Sequence, residues 1–281
     1  MKFFSPDEKY LQQIKNMCVV CFDMEIDEVE YVFEQKYIST DICYAIEDKE
    51  KICCMLFTVP CYITIDGEKK KGHYIYGACT LPEYRHRGLM HRLVEYANKQ
   101  TAEKGDKFSA LLPANRPLYD FYSDMGYRPL FVAQNKLISR DELPSLSSNV
   151  AYQNEPSIAE MDKLRKRLCS KYTGSVIYSK GILSYAVSYA KECRGGAVQC
   201  EDGYIIYAYD NNRLIVIEMM CDSEGLTAML GILKELCTTN QIMLRLPPWL
   251  SDDCDSFGMV KILGDIDTAE FNRAYLGLTF D

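Results

Sequence analysis

A short basic turn between a strand-like run and a helix-like run most restricts the fold of this chain. Residues 73–80 (HYIYGACT) are typical of a buried strand, and residues 89–97 (LMHRLVEYA) have helical spacing. Residues 81–88, LPEYRHRG, lie between them. The first N–H groups of a helix have no intrahelical acceptor and carry partial positive charge, so this arrangement favours a bound phosphate.

Three side chains add positive charge to this turn, those of Arg85, His86 and Arg87. Gly88 follows them, and because it has no Cβ, a pyrophosphate can come close to the backbone there. Taken by itself, the pattern is a weak signal and favours an ordinary basic turn between a strand and a helix.

The turn resembles the acyl-CoA loop of the GNAT N-acetyltransferase superfamily, whose pattern is Arg/Gln-x-x-Gly-x-Gly/Ala. Here it reads Arg85-x-x-Gly88-x-Met90, so Met90 departs from the pattern at the last position. Residues 115–127 (NRPLYDFYSDMGY) resemble a later signature of the family, an Asn, a short helix ending in Tyr, and then Gly-Phe/Tyr. The region that includes the hairpin 60–76 is most similar to Eis-type GNAT proteins.

The resemblance implies an α/β (α+β) fold, with a mixed, mostly antiparallel sheet flanked by helices. A looser second series of strands and helices follows a linker-like stretch. We therefore expect a GNAT domain at residues 1–140, a linker at 141–149 and a degenerate GNAT-like domain at 150–281. The corresponding turn of the second domain, residues 221–225 (CDSEG), has two acids and would repel a pyrophosphate. This half is expected to be non-catalytic and to form one side of the substrate cleft.

The resemblance also implies acetyl transfer from acetyl-CoA, as co-substrate, to a primary amine by direct attack in a ternary complex. Tyr122, four residues before Gly126, stands where the family has its general acid to the CoA thiolate. The alternative for Tyr122 is a core aromatic. The strand ending at Thr80 would pair with the pantetheine arm, and the N–H groups of Cys79 and Thr80 would polarise the thioester carbonyl.

Eleven residues are expected to contact the cofactor: Cys79, Thr80, Leu81, Arg85, His86, Arg87, Gly88, Leu89, Met90, Asn115 and Tyr119. For Asn115 a helix N-cap, and for Tyr119 a packing role, are comparable alternatives. The sequence does not identify the general base, and the candidates are Glu25, Asp27, Glu28, His73 and Asp281.

Local patterns predict further elements. Ser5 and Pro6 predict the N-cap and first residue of a helix, and Asp66-Gly67 predicts a hairpin turn. Cys18-x-x-Cys21 lies in an amphipathic helical pattern without a second metal-ligating pair, which favours core packing over a zinc or redox site, and no metal is expected.

The formal net charge of −8 argues against a nucleic-acid partner and suits a cationic acceptor. No stretch reaches the roughly 18 apolar residues of a membrane helix, and no secretory signal is evident, so no membrane association is expected. Thirteen scattered cysteines suggest reduced thiols and a cytoplasmic protein.

Small amines, aminoglycosides, polyamines and protein lysines all remain open as acceptors, and so does the oligomeric state. Two other functions are compatible with the sequence. One is a non-catalytic acyl-CoA sensor or pseudoenzyme, suggested by Met90 and the missing base. The other is a tandem aminoacyl-tRNA-dependent peptidyl transferase, which would not need the basic loop.

Overall fold

Two seven-stranded sheets organise the described part of the chain. The computed structural model describes residues 1–271 and 273–279. One unit comprises residues 1–61, 70–128 and 260–266. The other comprises residues 62–69, 129–259 and the described residues from 267 onward.

The described helices and strands follow in chain order. The helices are α1 Leu11–Phe22, α2 Ile26–Glu34, α3 Leu89–Glu103, α4 Arg116–Ser123, α5 Ile158–Cys169, α6 Lys180–Glu192 and α7 Leu226–Leu236. The strands are β1 Lys2–Phe4, β2 Cys43–Asp48, β3 Lys51–Ile65, β4 Glu68–Thr80, β5 Phe108–Leu111, β6 Val132–Ser139, β7 Gln153–Asn154, β8 Val176–Tyr178, β9 Gly196–Gln199, β10 Gly203–Asp210, β11 Arg213–Cys221, β12 Gln241–Leu246, β13 Asp255–Ser256 and β14 Met259–Ile262.

The first sheet has the order β1-β2-β3-β4-β5-β14, and β8 pairs with β3 off this path. The β3–β4 turn has the predicted Asp66-Gly67 hairpin, with φ values of 50° and 77°. Both central residues of a tight hairpin turn need positive φ, which Asp tolerates and Gly adopts freely. The hairpin tip, residues 62–69, belongs to the second unit.

The start of the first helix differs from the prediction at Ser5 and Pro6. Residues 2–4 form β1, a 3₁₀ turn occupies Glu8–Tyr10, and α1 begins at Leu11. The capping side chain is that of Asp7, which accepts a hydrogen bond from Lys9 N–H. Ser5 Oγ instead donates to the carbonyl of Cys43, 3.1 Å away. The long-range partner on β2 therefore outweighs the local capping preference of Ser5.

The second unit has its own sheet, in the order β13-β6-β12-β11-β10-β9-β7. β10 and β11 form an antiparallel hairpin, α7 follows, and β12 then pairs with β11 in parallel. The first unit has the same succession in β3, β4, α3 and β5, where β5 pairs with β4 in parallel. The predicted domain limits at residues 140 and 150 stay a prediction.

The core of the second unit lies between its sheet and α7. Buried Ile205, Val216 and Ile242 from the sheet pack with Met229 and Ile232 from the helix. Among the described residues, no helix has the length and apolar character needed to cross a membrane.

Candidate active site

The site begins at a strand edge that opens between β4 and β5. The two strands pair in parallel at Gly72–Phe108, His73–Ser109 and Tyr74–Ala110. β5 then ends at Leu111, whereas β4 continues through residues 75–80. The end of β4 therefore leaves main-chain groups on its β5 side for another extended chain.

A glycine interrupts the open part of β4. Gly77 has a φ of 58°, and a Cβ built there would lie 3.0 Å from the ring of Phe57. The left-handed conformation breaks the regular pleat at this point, as a bulge does. The predicted cofactor strand thus has a local bend that the sequence reading did not identify, although a glycine inside an apolar strand pattern is the usual signal for one.

Thr80 directs its main chain toward the open side. The N–H of Leu81 donates to the carbonyl of Cys53 on β3, 3.0 Å away. Because main-chain groups alternate along a strand, those of Thr80 face β5 and the N–H of Cys79 faces β3. The carbonyl of Thr80 accepts a hydrogen bond from Arg85 Nε at 3.1 Å. Of the two predicted carbonyl polarisers, Thr80 is therefore the one that faces the opening.

The basic turn leads directly into α3. Gly88 is the N-cap residue, with a φ of 66°, and as a glycine it has no side chain to cap the helix. His86 is also left-handed, with a φ of 62°. Left-handed residues within a turn are typical of the concave runs of N–H groups that bind anions. Apart from its two chain neighbours, no described residue lies within 4 Å of a Cβ built on Gly88, so there is open space at this position.

The side chains of the turn are arranged so that positive charge predominates. Arg85, His86 and Arg87 are exposed. Arg87 Nη2 donates to the carbonyl of Glu83 at 2.6 Å, and its guanidinium lies 5.0 Å from the ring of Tyr84. Lys51 Nζ lies 2.6 Å from the carboxylate of Glu83 and its hydrogen bond lowers the pKa of that group. The one acid of the turn is therefore already paired.

The remaining turn residues differ in exposure. Leu81 and Leu89 are buried and anchor the two ends of the turn, while Met90 is half-buried. The departure from the family pattern at Met90 thus affects a position in the first turn of α3 whose side chain is largely covered. Its main-chain N–H remains one of the helix-end donors.

Tyr122 lies on α4 with its side chain 7% exposed. Burial, together with the nearby Cys54 thiol, raises the pKa of Tyr122 to about 12. Cys54 Sγ in turn lies 3.2 Å from Thr80 Oγ1. Cys54, missed in the sequence reading, therefore links the predicted acid to the end of β4. A phenol with this pKa keeps its proton at neutral pH and can donate it.

Asn115 has the helix-capping role considered as its alternative. Its Oδ1 accepts a hydrogen bond from the N–H of Leu118, 3.3 Å away, at the start of α4. Tyr119, on the same helix, is half-buried, and the guanidinium of Arg116 lies 5.9 Å from its ring. Both residues lie on the helix that carries Tyr122, and their contact with the cofactor stays a prediction.

The candidate bases are not gathered in one place. Glu25 and Glu28 form a reciprocal capping box at the start of α2, and Asp27 is exposed beside them. Asp281 lies outside the described residues. The carboxylates of Glu25 and Glu28 are thus occupied by main-chain N–H groups, which is the usual use of acids in a first helical turn.

His73 belongs to a buried polar network below the opening. Its Nδ1 lies 2.9 Å from Asp106 Oδ2, and its Nε2 lies 3.2 Å from Asn98 Oδ1. The amide of Asn98 donates to the hydroxyl of Tyr127, which also contacts Ser109 Oγ at 2.7 Å. Since both ring nitrogens already have partners and the side chain is 1% exposed, His73 holds β4, α3 and β5 together and is poorly placed to deprotonate an amine.

No group of three or more His, Cys, Asp or Glu side chains suited to a metal ion occurs within the described residues. Cys18 is buried in the core as predicted, whereas Cys21 is half-buried. The pKa of Cys21 is lowered to about 7, mainly by the thiol of Cys79 on β4 and further by the charge of Arg85.

Comparison with known proteins assigns the first half of the chain. The family model of the acetyltransferase (GNAT) domain matches residues 5–130. No match is found among curated protein sequences.

Three solved structures illustrate the shared fold. A GCN5-related N-acetyltransferase from Anabaena variabilis aligns with a TM-score of 0.78 at 15% identity, over 94% of this chain and 73% of that one. Eis1 from Mycobacterium abscessus aligns with a TM-score of 0.70 at 14% identity, over 94% of this chain and 74% of that one. N-myristoyltransferase from Saccharomyces cerevisiae with bound myristoyl-CoA aligns with a TM-score of 0.59 at 10% identity, over 99% of this chain and 89% of that one. The predicted fold class is thereby confirmed, and the family model agrees with the predicted superfamily over residues 5–130.

Proposed function

Since residues 5–130 form an acetyltransferase domain of the GNAT family, this chain is a transferase enzyme, and we propose that it moves an acetyl group from acetyl-CoA to a primary amine by direct attack in a ternary complex. The observation that carries this proposal is the continuity of two features. The open edge of β4 runs into a basic turn whose helix, α3, has no side-chain cap.

These features suit the two chemically different parts of acetyl-CoA. The amide groups of the pantetheine arm can pair with the main chain of β4 as an added strand. The pyrophosphate suits the N–H groups at the start of α3 and the charges of Arg85, His86 and Arg87. Gly88 lets the phosphates approach, because the space around its Cα is open.

The reaction needs polarisation of the thioester carbonyl and a proton for the leaving thiolate. Thr80 donates its N–H to the carbonyl oxygen, where negative charge develops as the amine attacks. Tyr122 donates its phenolic proton to the CoA thiolate as the C–S bond breaks. The amine nitrogen, which forms the new amide bond, releases one proton to solvent, and solvent returns a proton to Tyr122. The raised pKa of Tyr122 keeps this proton in place until the thiolate forms.

The second unit is proposed to bind no acyl-CoA of its own. The turn before α7 contains Asp222 and Glu224 in place of basic residues. A net charge of −8 favours cationic acceptors, with small amines, polyamines, aminoglycosides and protein lysines as the classes to screen.

Calorimetric titration with acetyl-CoA tests the proposal. We expect micromolar binding by the intact chain and its loss in the double variant Arg87→Glu, Gly88→Glu, which places two carboxylates at the pyrophosphate position. Lys99→Glu is the matched control, because this residue is exposed on α3 but lies away from the first turn. It should bind as tightly as the unmodified chain.

Turnover is then measured as CoA release with an amine library. Amine-dependent release supports the enzyme, and binding without release by any amine supports the acyl-CoA sensor instead. If the intact protein fails to bind acetyl-CoA, the proposal is wrong.

A further inference from the structure

Trp249, the only tryptophan of the chain, is held in one orientation within the second unit. Its indole Nε1 donates a hydrogen bond to the carbonyl of Cys221, the last residue of β11, 2.9 Å away. Its ring stacks on that of Tyr172, with the centroids 4.3 Å apart and the planes inclined by 7°. The fully buried Tyr275 makes an edge contact with the indole, with a centroid distance of 5.4 Å. These three contacts fix both the position and the plane of the indole.

The loop that carries Trp249 is anchored by Arg273. The guanidinium of Arg273 donates to the carbonyls of Pro248 and Ser251 through Nη2. Its Nη1 lies 2.6 Å from the carboxylate of Asp252. Arg273 therefore holds the loop on both sides of Trp249, and its own positive charge is balanced by Asp252.

A carboxylate lies beside the two stacked rings. Asp222 directly follows Cys221, so the hydrogen bond of the indole to Cys221 brings Trp249 next to this acid. Asp222 Oδ1 accepts a hydrogen bond from the N–H of Gly225 at 3.2 Å, which fixes the turn before α7. Among the ion pairs that the described residues of the second unit form, none includes Asp222. Its negative charge is therefore not balanced by any described side chain.

Tyr172 completes the group from the connection between α5 and β8. Burial and, after it, the charge of Asp222 raise the pKa of Tyr172, which agrees with a carboxylate close to this phenol. Tyr172, Trp249 and Asp222 are all half-buried, so each keeps some surface in contact with solvent. A fixed aromatic surface next to an unbalanced carboxylate attracts a cation through both the π-electrons and the negative charge.

We propose that Tyr172, Trp249 and Asp222 form a binding site for a methylated ammonium ion, of which the trimethylammonium group of choline is the simplest example. The methyl groups of such an ion pack on the aromatic rings, and its diffuse charge is balanced by the carboxylate. It has no N–H groups that would need further acceptors, and the indole N–H is already used within the protein. The proposal concerns the second unit and does not depend on the proposed acetyl transfer.

Titration with choline chloride, followed by tryptophan fluorescence, tests the site in the full chain. Because Trp249 is the only tryptophan, its emission reports on this site alone. We expect a saturable change with choline and none with sodium chloride at the same ionic strength. The neutral carbon analogue of choline, in which a tert-butyl group replaces the trimethylammonium group, should also give no change. A flat titration with choline, or an equal response to the neutral analogue, would overturn the proposal.

Two variants then assign the binding energy. Asp222→Asn removes the charge but keeps the Oδ1 acceptor for Gly225, and it should raise the Kd for choline about fivefold, the effect of an exposed ion pair. Tyr172→Leu removes the stacked ring and should raise the Kd by about fivefold to thirtyfold. Urea denaturation shows whether each variant is folded, and Asp222→Asn decides the question if Tyr172→Leu is not.

The matched controls are Asp210→Asn and Tyr189→Leu. Asp210 is an exposed acid of the second unit at the end of β10, and Tyr189 is 46% exposed on α6. Both controls should keep the Kd for choline within twofold. An unchanged Kd in the folded Asp222→Asn variant, or an equal increase in its control, would show that choline binds elsewhere.

Discussion

The carboxylate of Asp222 accepts a hydrogen bond from the backbone N–H of Gly225, 3.2 Å away, at the start of α7. Both α7 and the corresponding helix α3 of the first unit begin at a glycine, Gly225 and Gly88, but the residues before Gly88 are the basic Arg85, His86 and Arg87. The second unit therefore supplies its own negative group where the first leaves room for a ligand. A carboxylate at this place both satisfies a helix-end donor and repels a phosphate.

The first prediction concerns stoichiometry. Calorimetry should give one acetyl-CoA per chain, and Asp222→Ala should leave this value and the affinity unchanged within twofold. The loss of its hydrogen bond should lower the free energy of unfolding by about 1 kcal/mol, which urea denaturation can measure. Two equivalent sites in the unmodified chain would contradict the view that only the first unit binds the cofactor.

The second prediction concerns the acid. Tyr122→Phe should lower kcat by about 10²-fold, since general-acid help is typically worth that much, with the Kd for acetyl-CoA nearly unchanged. In the unmodified enzyme, loss of the Tyr122 proton should not limit the rate below about pH 11, because the pKa of this phenol is about 12. Steady-state kinetics across pH, on any amine that turns over, provide both readouts.

Tyr96→Phe is the control for this effect, because Tyr96 loses the same hydroxyl, is half-buried on α3 and is not among the residues expected to contact the cofactor. It should keep kcat within severalfold. If Tyr122→Phe is as active as the control, Tyr122 is a core aromatic and another group protonates the thiolate.

Much of the fold could be predicted from local patterns. The hairpin at Asp66-Gly67 and the two strand–turn–helix units at Gly88 and Gly225 depend on residues adjacent in sequence, and the structure has them where expected. The helix start at Ser5 was wrong because the Ser5 hydroxyl has a partner 38 residues away, on β2. Local capping preference is a weak guide where such a contact competes with it.

The site was less accessible to sequence reasoning. The basic turn could be located because its residues are contiguous, but the environment of Cys21 depends on Cys79 and Arg85, which other elements bring to it. His73 likewise gains its structural role from Asn98 and Asp106. A spacing pattern such as Cys18-x-x-Cys21 describes one helix face and carries no information about the strand packed against it.

The third prediction tests the buried polar network of His73, Asp106 and Asn98. Burial would raise the pKa of Asp106, but hydrogen bonds from His73 and Lys71 outweigh it and hold the pKa below 3.8. A carboxyl whose pKa is lowered by folding stabilises the fold above its unfolded pKa and loses this effect as pH falls through its folded pKa. Asp106→Asn should therefore cost about 2 kcal/mol at pH 7, and the difference should shrink below about pH 4.

Urea denaturation between pH 3 and pH 8 measures this difference. Asp120→Asn is the control, because Asp120 is exposed on α4, and its effect should stay within about 0.5 kcal/mol. If the free energy of unfolding that Asp106→Asn loses does not change with pH, the carboxylate acts through its shape rather than its charge.

The fourth prediction concerns a buried ion pair in the second unit. Arg165 Nε lies 3.2 Å from both carboxylate oxygens of Glu218, and Tyr204 donates its hydroxyl to Glu218 at 2.5 Å. Both Arg165 and Glu218 are almost fully buried, and the charge of Glu218 raises the pKa of Arg165 well above its ordinary value despite burial. Glu218→Gln leaves that guanidinium charged without a counterion, which should cost about 3–5 kcal/mol of unfolding free energy.

The matched control is Asp210→Asn, which breaks the exposed pair with Arg213 at 2.9 Å. Exposed pairs contribute about 0–1 kcal/mol, so this variant should unfold almost as the unmodified chain does. Because Glu218 lies in the second unit, Glu218→Gln should also keep the acetyl-CoA affinity of the first unit wherever the chain is folded. If Glu218→Gln loses as much acetyl-CoA affinity as the double variant Arg87→Glu, Gly88→Glu, the cofactor site depends on the core of the second unit. If Glu218→Gln and Asp210→Asn have equal free energies of unfolding, the buried pair adds nothing to the fold.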